Sequence, residues 1–184
     1  MAEEVLTIWT IGHSTRTIED FVALLNAHRI ESLVDVRHFP GSRRYPQFNK
    51  ELLADSLAKG GIEYHHLIQL GGRRRPHPNS HNSAWRNEAF RGYADYMATN
   101  SFAQGIDGLL VLARKKRTAI MCAEAVWWRC HRSLIADYLK ARGHEVLHIQ
   151  SATKAEEHPF TSAARIVDGK LSYQLATVEA ELPL

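Results

Sequence analysis

Short runs of apolar, β-branched residues alternate with segments of helical periodicity along most of this chain. This alternation constrains the fold more than any other feature of the sequence. The runs predict five strands, and the amphipathic segments between them predict helices. Strands that alternate with helices form a mostly parallel sheet covered by helices on both faces. The predicted strands are residues 5–11, 32–36, 62–67, 118–122 and 145–149.

Local start and stop signals place the helices. Thr17 followed by Asp20 is typical of a capped helix start, and Asn49 is placed to cap the next helix, which Gly60 ends. The pattern therefore predicts an α/β fold, Rossmann-like and three-layered, around a mostly parallel five-stranded sheet. The predicted helices are residues 18–28, 50–59, 87–100, 101–115 and 130–142. A small C-terminal hairpin is predicted over residues 164–167 and 171–173.

Length and composition fit one globular domain, residues 1–184. Two cysteines are too few for a disulfide-stapled secreted scaffold. No apolar run approaches the roughly 20 residues that cross a bilayer. Residues 1–5 lack the basic start of a signal peptide. We therefore expect a cytoplasmic domain without a membrane partner.

Positive charge is concentrated in the middle of the chain. Residues 37–91 contain ten Lys or Arg and four acids, a local net charge of +6, whereas the whole chain carries +3. Within this stretch, residues 70–85 form a long polar segment, which inside a compact domain is usually functional or disordered. The charge predicts a site for a phosphate, a carboxylate or a nucleic acid.

Reactive side chains follow the predicted strands where each one ends. The carboxyl ends of parallel strands share one edge of the sheet, where ligands bind in open α/β folds. The alternative is that these residues are polar because strand ends meet water. The candidate catalytic residues are Glu124, Asp35, His13 and Cys122. The candidate substrate- or anion-binding residues are Gly12, Ser14, Arg37, Arg43, Arg73, His131 and Arg132.

The two cysteines leave several interpretations open. Cys122 ends a strand and Cys130 begins a helix, an arrangement in which backbone N–H groups stabilise a thiolate. Trp128 stands where the tyrosine-phosphatase pattern has arginine, so a nucleophilic Cys122 departs from that pattern. Zinc ligation lacks a Cys-x-x-Cys pair, so no metal is assigned. Cys122 as a small buried hydrophobe is the default, and a reducing cytosol disfavours a Cys122–Cys130 disulfide.

Glu124 and the first turn of the last predicted helix lead to two specific hypotheses, one about catalysis and one about anion binding. Glu124 is placed to act as a general base, or alternatively to form an ion pair with Arg37 or Arg132. His131 and Arg132 fall in the first helical turn, where the helix dipole disfavours a cation unless an anion lies nearby. The position of these two basic residues therefore favours an acidic ligand or a facing acid.

Several separate motifs together resemble one protein family, the domain of unknown function 488 family. The resemblance extends from about residue 7 to residue 150, leaving 151–184 as a C-terminal extension. It implies a cytosolic α/β domain and leaves the reaction open. In place of the proline common in the family, this chain has Val126-Trp127-Trp128. The motifs are Thr10–Ser14, Asp35–Arg37 with Pro40 and Ser42-Arg43, Leu70–Arg73, Phe90–Met97, Met121–Glu124 and Cys130–Arg132.

These observations support one main functional hypothesis and two rivals. The main hypothesis is an enzyme acting on a phosphate-containing substrate, either a nucleotide or a nucleic acid. A non-catalytic module that binds nucleic acid or another anion fits the positive charge equally well. A thiol-dependent enzyme using Cys122 is the third hypothesis. The sequence assigns no cofactor.

Overall fold

Alternating strands and helices build the molecule, a computed structural model that describes residues 4–176. The α/β fold predicted from the sequence is confirmed. The strands are β1 (Thr7–Gly12), β2 (Ser32–Asp35), β3 (Glu63–His66), β4 (Thr118–Cys122), β5 (Glu145–Ser151), β6 (Lys154–Glu157), β7 (Arg165–Val167) and β8 (Lys170–Ser172). The α-helices are α1 (Ile18–Ala27), α2 (Lys50–Lys59), α3 (Glu88–Tyr96), α4 (Asn100–Lys115) and α5 (Arg132–Ala141).

Six of the strands form one mixed sheet in the order β3-β2-β4-β1-β5-β6. Strands β1 to β5 are mutually parallel, which confirms the predicted five-stranded parallel sheet. Strand β6 runs antiparallel to β5 at one edge and was not predicted, because its residues are charged and mostly exposed. Strands β7 and β8 form the predicted C-terminal hairpin.

Two hydrophobic cores hold helices against the two faces of the sheet. Phe21 of α1 and Leu57 of α2 are fully buried in one core. Helices α3, α4 and α5 pack in the other, to which Phe102 and Leu134 contribute fully buried side chains. Burial of each such side chain stabilises the fold by roughly 1.5–3 kcal/mol. No helix within residues 4–176 has the length and apolar character needed to span a bilayer.

Helices α1 and α2 begin after their predicted capping residues, whereas α5 begins later than predicted. Thr17 caps α1, since its Oγ1 accepts a hydrogen bond from the Asp20 amide at 3.1 Å. Asn49 occupies the N-cap position of α2, but its Oδ1 accepts instead from the Ser42 amide at 2.7 Å. The side chain therefore ties the loop after β2 to α2. Helix α5 begins at Arg132, two residues later than predicted.

The connections that leave β1 and β4 create a crevice. These two strands are neighbours in the sheet. The chain leaves β1 towards β2 on one side, and it leaves β4 towards β5 on the other. Neighbouring parallel strands whose connections run in opposite directions, on opposite faces of the sheet, leave an opening at their carboxyl ends, which is where open α/β sheets bind ligands.

The long polar segment after β3 is ordered by a single carboxylate. Asp95 on α3 accepts hydrogen bonds from the His77 amide at 2.8 Å, the Ser80 hydroxyl at 2.6 Å and the Asn82 side chain at 2.7 Å. Gly92, one turn earlier, leaves room for the backbone of this segment, because a Cβ atom there would overlap the Arg74 carbonyl oxygen. The segment thus lies against α3 and brings Arg73 to the crevice.

Candidate active-site pocket

A pocket of about 600 Å³ occupies the crevice at the carboxyl ends of β1, β2 and β4. The structure brings seven of the predicted site residues together in its lining. They are His13, Ser14, Arg37, Arg73, Cys122, Glu124 and His131. Of the other four, Asp35 and Arg132 are buried beside the pocket, Gly12 ends β1 next to it, and Arg43 is exposed outside the lining.

Asp35 and Arg37 form a buried ion pair under one wall. The Arg37 Nη2 donates to Asp35 Oδ2 at 2.7 Å, and its Nε donates to Oδ1 at 2.9 Å. Tyr64 also donates to Oδ2 at 2.7 Å, so both carboxylate oxygens are occupied. Burial, with the Asp35 charge, raises the pKa of Tyr64 well above its ordinary value. This arrangement makes Asp35 a support for Arg37, whose Nη1 is left to face His13 at 3.5 Å.

His13 is a neutral imidazole at the end of β1. Its ring stacks on Phe48 with centroids 4.2 Å apart, and its Nδ1 donates to the Ser14 carbonyl at 3.0 Å. The Nε2 lone pair therefore points toward the Arg37 guanidinium. Burial, with the charges of Arg37 and Arg132, lowers the pKa of His13 to about 4, against the Ser14 hydrogen bond and Asp35.

Glu124 is an exposed residue of the pocket lining and has no ion pair within the described residues. Among residues 4–176, no basic side chain lies within salt-bridge distance of it, including Arg37 and Arg132. Its backbone is fixed instead, because the Glu124 carbonyl accepts from Arg132 at 2.6 Å. Gly12 permits this close approach, since a Cβ atom there would overlap the same carbonyl. Glu124 is therefore an exposed carboxylate on a fixed backbone.

The structure joins the sulfur atoms of Cys122 and Cys130 in a disulfide at the floor of the pocket. This disulfide differs from the expectation drawn from the sequence, because a reducing cytosol, the expected compartment, disfavours disulfides. Their Cα atoms are 7.5 Å apart, wider than in most disulfides, so the same backbone also accommodates two reduced thiols in contact. Both residues are buried, in keeping with the default interpretation of Cys122. The Arg132 Nε donates to Cys122 Sγ at 3.0 Å, a charged contact that an inert apolar cysteine does not need.

Arg132 and His131 lie at the start of α5 with their polar atoms already engaged. Besides its contacts with Cys122 and Glu124, Arg132 donates to Thr10 Oγ1 at 3.2 Å. The His131 Nε2 donates to the Val36 carbonyl at 2.8 Å, while its Nδ1 faces Cys130 Sγ at 3.5 Å. Burial lowers the pKa of His131 to about 4 despite the Val36 hydrogen bond. Both side chains hold the floor of the pocket together.

Two arginines bring uncompensated charge to the pocket mouth. Arg44 and Arg73 line the pocket and have no carboxylate partner among residues 4–176. Arg73 lies over the Phe39 ring at 5.4 Å, and Arg44 lies over Tyr45 at 5.5 Å. Arg73 also adopts a left-handed backbone, with φ of 61°, a strained conformation that clusters at functional sites.

Sequence reasoning missed Arg44, Phe39 and Tyr45, all in the loop after β2. This loop has no strand or helix period that shows which side chains point inward, so Arg43 was predicted where Arg44 lies in the lining. The exposed aromatic Phe39 beside basic residues is the one signal that points to the mouth of a site. Within residues 4–176, no group of three or more His, Cys, Asp or Glu side chains is arranged to hold a metal ion.

The fold and the pocket define an α/β domain with a basic crevice at its topological switch point. A family model described as "Domain of unknown function DUF488" matches residues 17–139, more than half of the chain. The chain therefore belongs to the DUF488 family, as its motifs indicated. Searches of curated proteins and of solved structures found no match to it.

Proposed function

We propose that the pocket is the active site of an enzyme that acts on a phosphate-bearing substrate, a nucleotide or a nucleic acid. The observation that carries this proposal is the uncompensated charge of Arg44 and Arg73 in the pocket lining. Guanidinium groups suit phosphate because they present paired N–H donors to its oxygens. Arg37, held by Asp35, also lines the pocket and brings a third guanidinium group to it.

The size of the pocket favours a substrate larger than an inorganic ion. Its volume of about 600 Å³ lies within the range of small-molecule sites, roughly 300–1,000 Å³. The Phe39 side chain is 62% exposed in the pocket lining, and Tyr45 also lines the pocket. Aromatic faces of this kind stack on nucleic-acid bases. A phosphate held by the arginines with a base on these rings accounts for both features.

Glu124 favours catalysis over binding alone. A carboxylate among phosphate-binding arginines repels the ligand, so a pure binding module gains nothing from it. A free carboxylate on a fixed backbone is suited to remove a proton from water or a substrate hydroxyl as it attacks. Neutral His13 also lines the pocket, and its Nε2 lone pair faces the Arg37 guanidinium. We assign Glu124 as the general base.

Binding is tested by calorimetric titration with inorganic phosphate, pyrophosphate and a nucleoside monophosphate at low and high salt. We expect binding that weakens as salt rises, because exposed charge contacts are screened. Arg44→Gln and Arg73→Gln should each weaken binding by about 10-fold or more, since a hydrogen bond to a charged group contributes about 1.5–3 kcal/mol.

The chain offers a matched control for each of these variants. Arg43 and Arg75 are exposed neighbours in sequence that do not line the pocket. Arg43→Gln and Arg75→Gln remove the same charge and should leave affinity nearly unchanged. No detectable binding of any of the three ligands at low salt, or equal losses in all four variants, would contradict the proposal. For a nucleic acid, the salt slope reports the number of phosphates contacted.

A second candidate function is a thiol-dependent enzyme, which the Arg132–Cys122 contact favours. A guanidinium that donates to sulfur stabilises the thiolate, the nucleophilic form. We expect iodoacetamide to alkylate Cys122 of the reduced protein at neutral pH faster than it alkylates glutathione. Mass spectrometry locates the modified residue. A slower reaction than that of glutathione, or an activity unchanged by Cys122→Ser, would exclude this candidate.

A further inference from the structure

A chain of buried hydrogen bonds extends from the last helix and β5 to the floor of the pocket. The Arg132 Nη1 contacts Thr10 Oγ1 at 3.2 Å, and Thr10 Oγ1 contacts His148 Nδ1 at 2.6 Å. The His148 Nε2 lies 2.9 Å from His158 Nδ1, and the His158 Nε2 lies 2.8 Å from Asp137 Oδ1. Each of these five side chains is at most 2% exposed. The proposed phosphate-acting site uses none of these five residues, and the thiol-dependent candidate uses only Arg132.

The donors along this chain all point in one direction. Asp137 accepts from the Thr161 amide at 2.9 Å, the Thr161 hydroxyl at 2.6 Å and the Tyr173 hydroxyl at 2.8 Å, so it is a carboxylate surrounded by donors. In its neutral form, His158 donates to this carboxylate from Nε2 and accepts at Nδ1. His148 consequently donates from Nε2 and accepts at Nδ1.

The two ends of the chain carry opposite charges. Burial, with His158 and Arg132 nearby, lowers the pKa of His148 to about 2, so this ring is neutral. The Thr10 hydroxyl donates to His148 and accepts from Arg132. Burial lowers the pKa of Arg132 to about 9, with Glu124 opposing, so the guanidinium is charged at neutral pH. Linked hydrogen bonds between a buried cation and a buried anion polarise and strengthen one another.

The hydrogen bond from Arg132 to Thr10, at the pocket end of this series of hydrogen bonds, determines where the remaining donors of Arg132 point. Its Nε reaches Cys122 Sγ at 3.0 Å, and its Nη2 reaches the Glu124 carbonyl at 2.6 Å. A planar guanidinium has a fixed fork of donors, so fixing Nη1 on Thr10 also fixes the other two. The orientation of Arg132 is therefore determined by groups on β1 and β5.

We infer that His148 and His158 are positioning residues of the pocket, which act through Thr10 to hold the Arg132 guanidinium against Cys122 and so stabilise its thiolate. His158 and Tyr173 belong to the C-terminal extension, and His148 also lies beyond the matched family region. The inference thus gives the extension a role in the site. It does not depend on which anion the pocket binds, or on whether it binds one.

The test measures thiolate formation directly, without any ligand. In a Cys130→Ser background only Cys122 ionises as a thiol, and its thiolate is followed by ultraviolet absorbance during a pH titration. Thr10→Val keeps the shape of the side chain and removes the hydroxyl, while His148→Phe breaks the next link and keeps a ring beside Trp127. We expect both to raise the midpoint of the thiolate titration by about one pH unit, because Arg132 is no longer held on sulfur.

Two controls separate positioning from general destabilisation. Thr10→Ser retains the hydroxyl and should restore the parent midpoint. Thr118→Val removes an equally buried hydroxyl, bonded to the Lys116 carbonyl at 2.9 Å, from the opposite end of β4 and should not shift the midpoint. Apart from the neutral His148 in His148→Phe, the charged and titratable groups around Cys122 are unchanged in the four variants; they are Arg132, Glu124, His13, His131 and Arg37.

The thiolate midpoints of the four variants decide whether the inference holds. A midpoint raised in Thr10→Val and His148→Phe, but not in Thr10→Ser or Thr118→Val, supports the inference. Equal midpoints in Thr10→Val and Thr118→Val overturn it, as does a shift in Thr10→Ser as large as that in Thr10→Val. If Thr10→Val does not fold, His148→Phe against Thr118→Val decides the question in the same way. Phosphate affinity is measured separately, so failure of the anion-binding proposal leaves this result intact.

Discussion

Two carboxylates predicted as catalytic differ sharply in their surroundings. Asp35 is fully buried, and both of its oxygens accept hydrogen bonds from Arg37 and Tyr64. Glu124 is exposed in the pocket lining and unpaired among residues 4–176. A saturated, buried carboxylate holds its partner in place, whereas a free one is available to move a proton. The two residues therefore give opposite expectations when each is replaced by its amide.

We expect Glu124→Gln to leave the free energy of unfolding within about 0.5 kcal/mol of the parent, as for other surface changes. Turnover, once a reaction is identified, should fall by about 10²–10⁴-fold, the usual contribution of a general base. Asp35→Asn should instead destabilise the protein by roughly 3–5 kcal/mol, because it leaves the buried Arg37 charge uncompensated. Urea denaturation and phosphate titration of both variants measure the difference. Lower stability together with lost anion binding in Glu124→Gln would defeat its catalytic assignment.

Much of the pocket was predictable from single residues, and the exceptions have physical causes. His13 directly follows β1 and Cys122 is the last residue of β4, so their place at the common edge of the sheet follows from topology. Arg132 was predicted as an anion ligand, yet its donors are engaged with Cys122, Thr10 and Glu124, which only tertiary packing determines. The buried series of hydrogen bonds was missed, although polar His148 between apolar Leu147 and Ile149 of β5 was a signal for it.

Strands were predictable where the sequence has a clear apolar run, and helices were predictable where a periodic pattern follows a capping residue. Strand β4 matches its prediction residue for residue, and α1 begins where Thr17 caps it. Strand β6 was not predicted because Lys154–Glu157 has no alternation of apolar and polar residues. It is a strand because it pairs with β5, a contact that its own sequence does not indicate. The path of the polar segment after β3 depends on Asp95, a contact distant in sequence that no local signal specifies.

At this scale, two helical glycines give opposite expectations for the same substitution. Gly92 on α3 faces the Arg74 carbonyl, which a Cβ atom would overlap, whereas a Cβ atom at Gly108 on α4 would meet only Leu67 side-chain atoms at 3.7 Å. We expect Gly92→Ala to cost roughly 1–3 kcal/mol through overpacking. Gly108→Ala should stabilise the protein by up to about 1 kcal/mol, since alanine favours a helix.

The functional consequence distinguishes the two variants further. Gly92→Ala pushes the segment that carries Arg73 away from α3, so phosphate binding should weaken together with stability. Gly108→Ala lies on a helix that contributes nothing to the pocket lining, so its affinity should equal that of the parent. Urea denaturation and phosphate calorimetry measure both effects. Parent-like stability in Gly92→Ala would show that the segment does not depend on this close packing.

Buried neutral histidines make the stability of the whole molecule depend on pH. Burial is the largest cause that lowers the pKa of His13 and of His131 to about 4, and of His148 to about 2. An exposed histidine titrates near 6.5. Below that pH these histidines bind protons in the unfolded chain but remain neutral in the folded protein. Unfolding therefore takes up protons, and the free energy of unfolding rises with pH in this window.

We expect the protein to be most stable above about pH 6.5 and to lose stability progressively as the pH falls toward about 4, by about 1.4 kcal/mol per pH unit for each of the three histidines. Urea denaturation across this range measures the slope. His148→Phe should reduce the slope by about one proton, because it removes one of the groups. The exposed His81 is the control, and His81→Gln should leave the slope unchanged. A free energy of unfolding that stays flat between about pH 6.5 and pH 5 would contradict the assignment of these histidines as neutral in the folded protein.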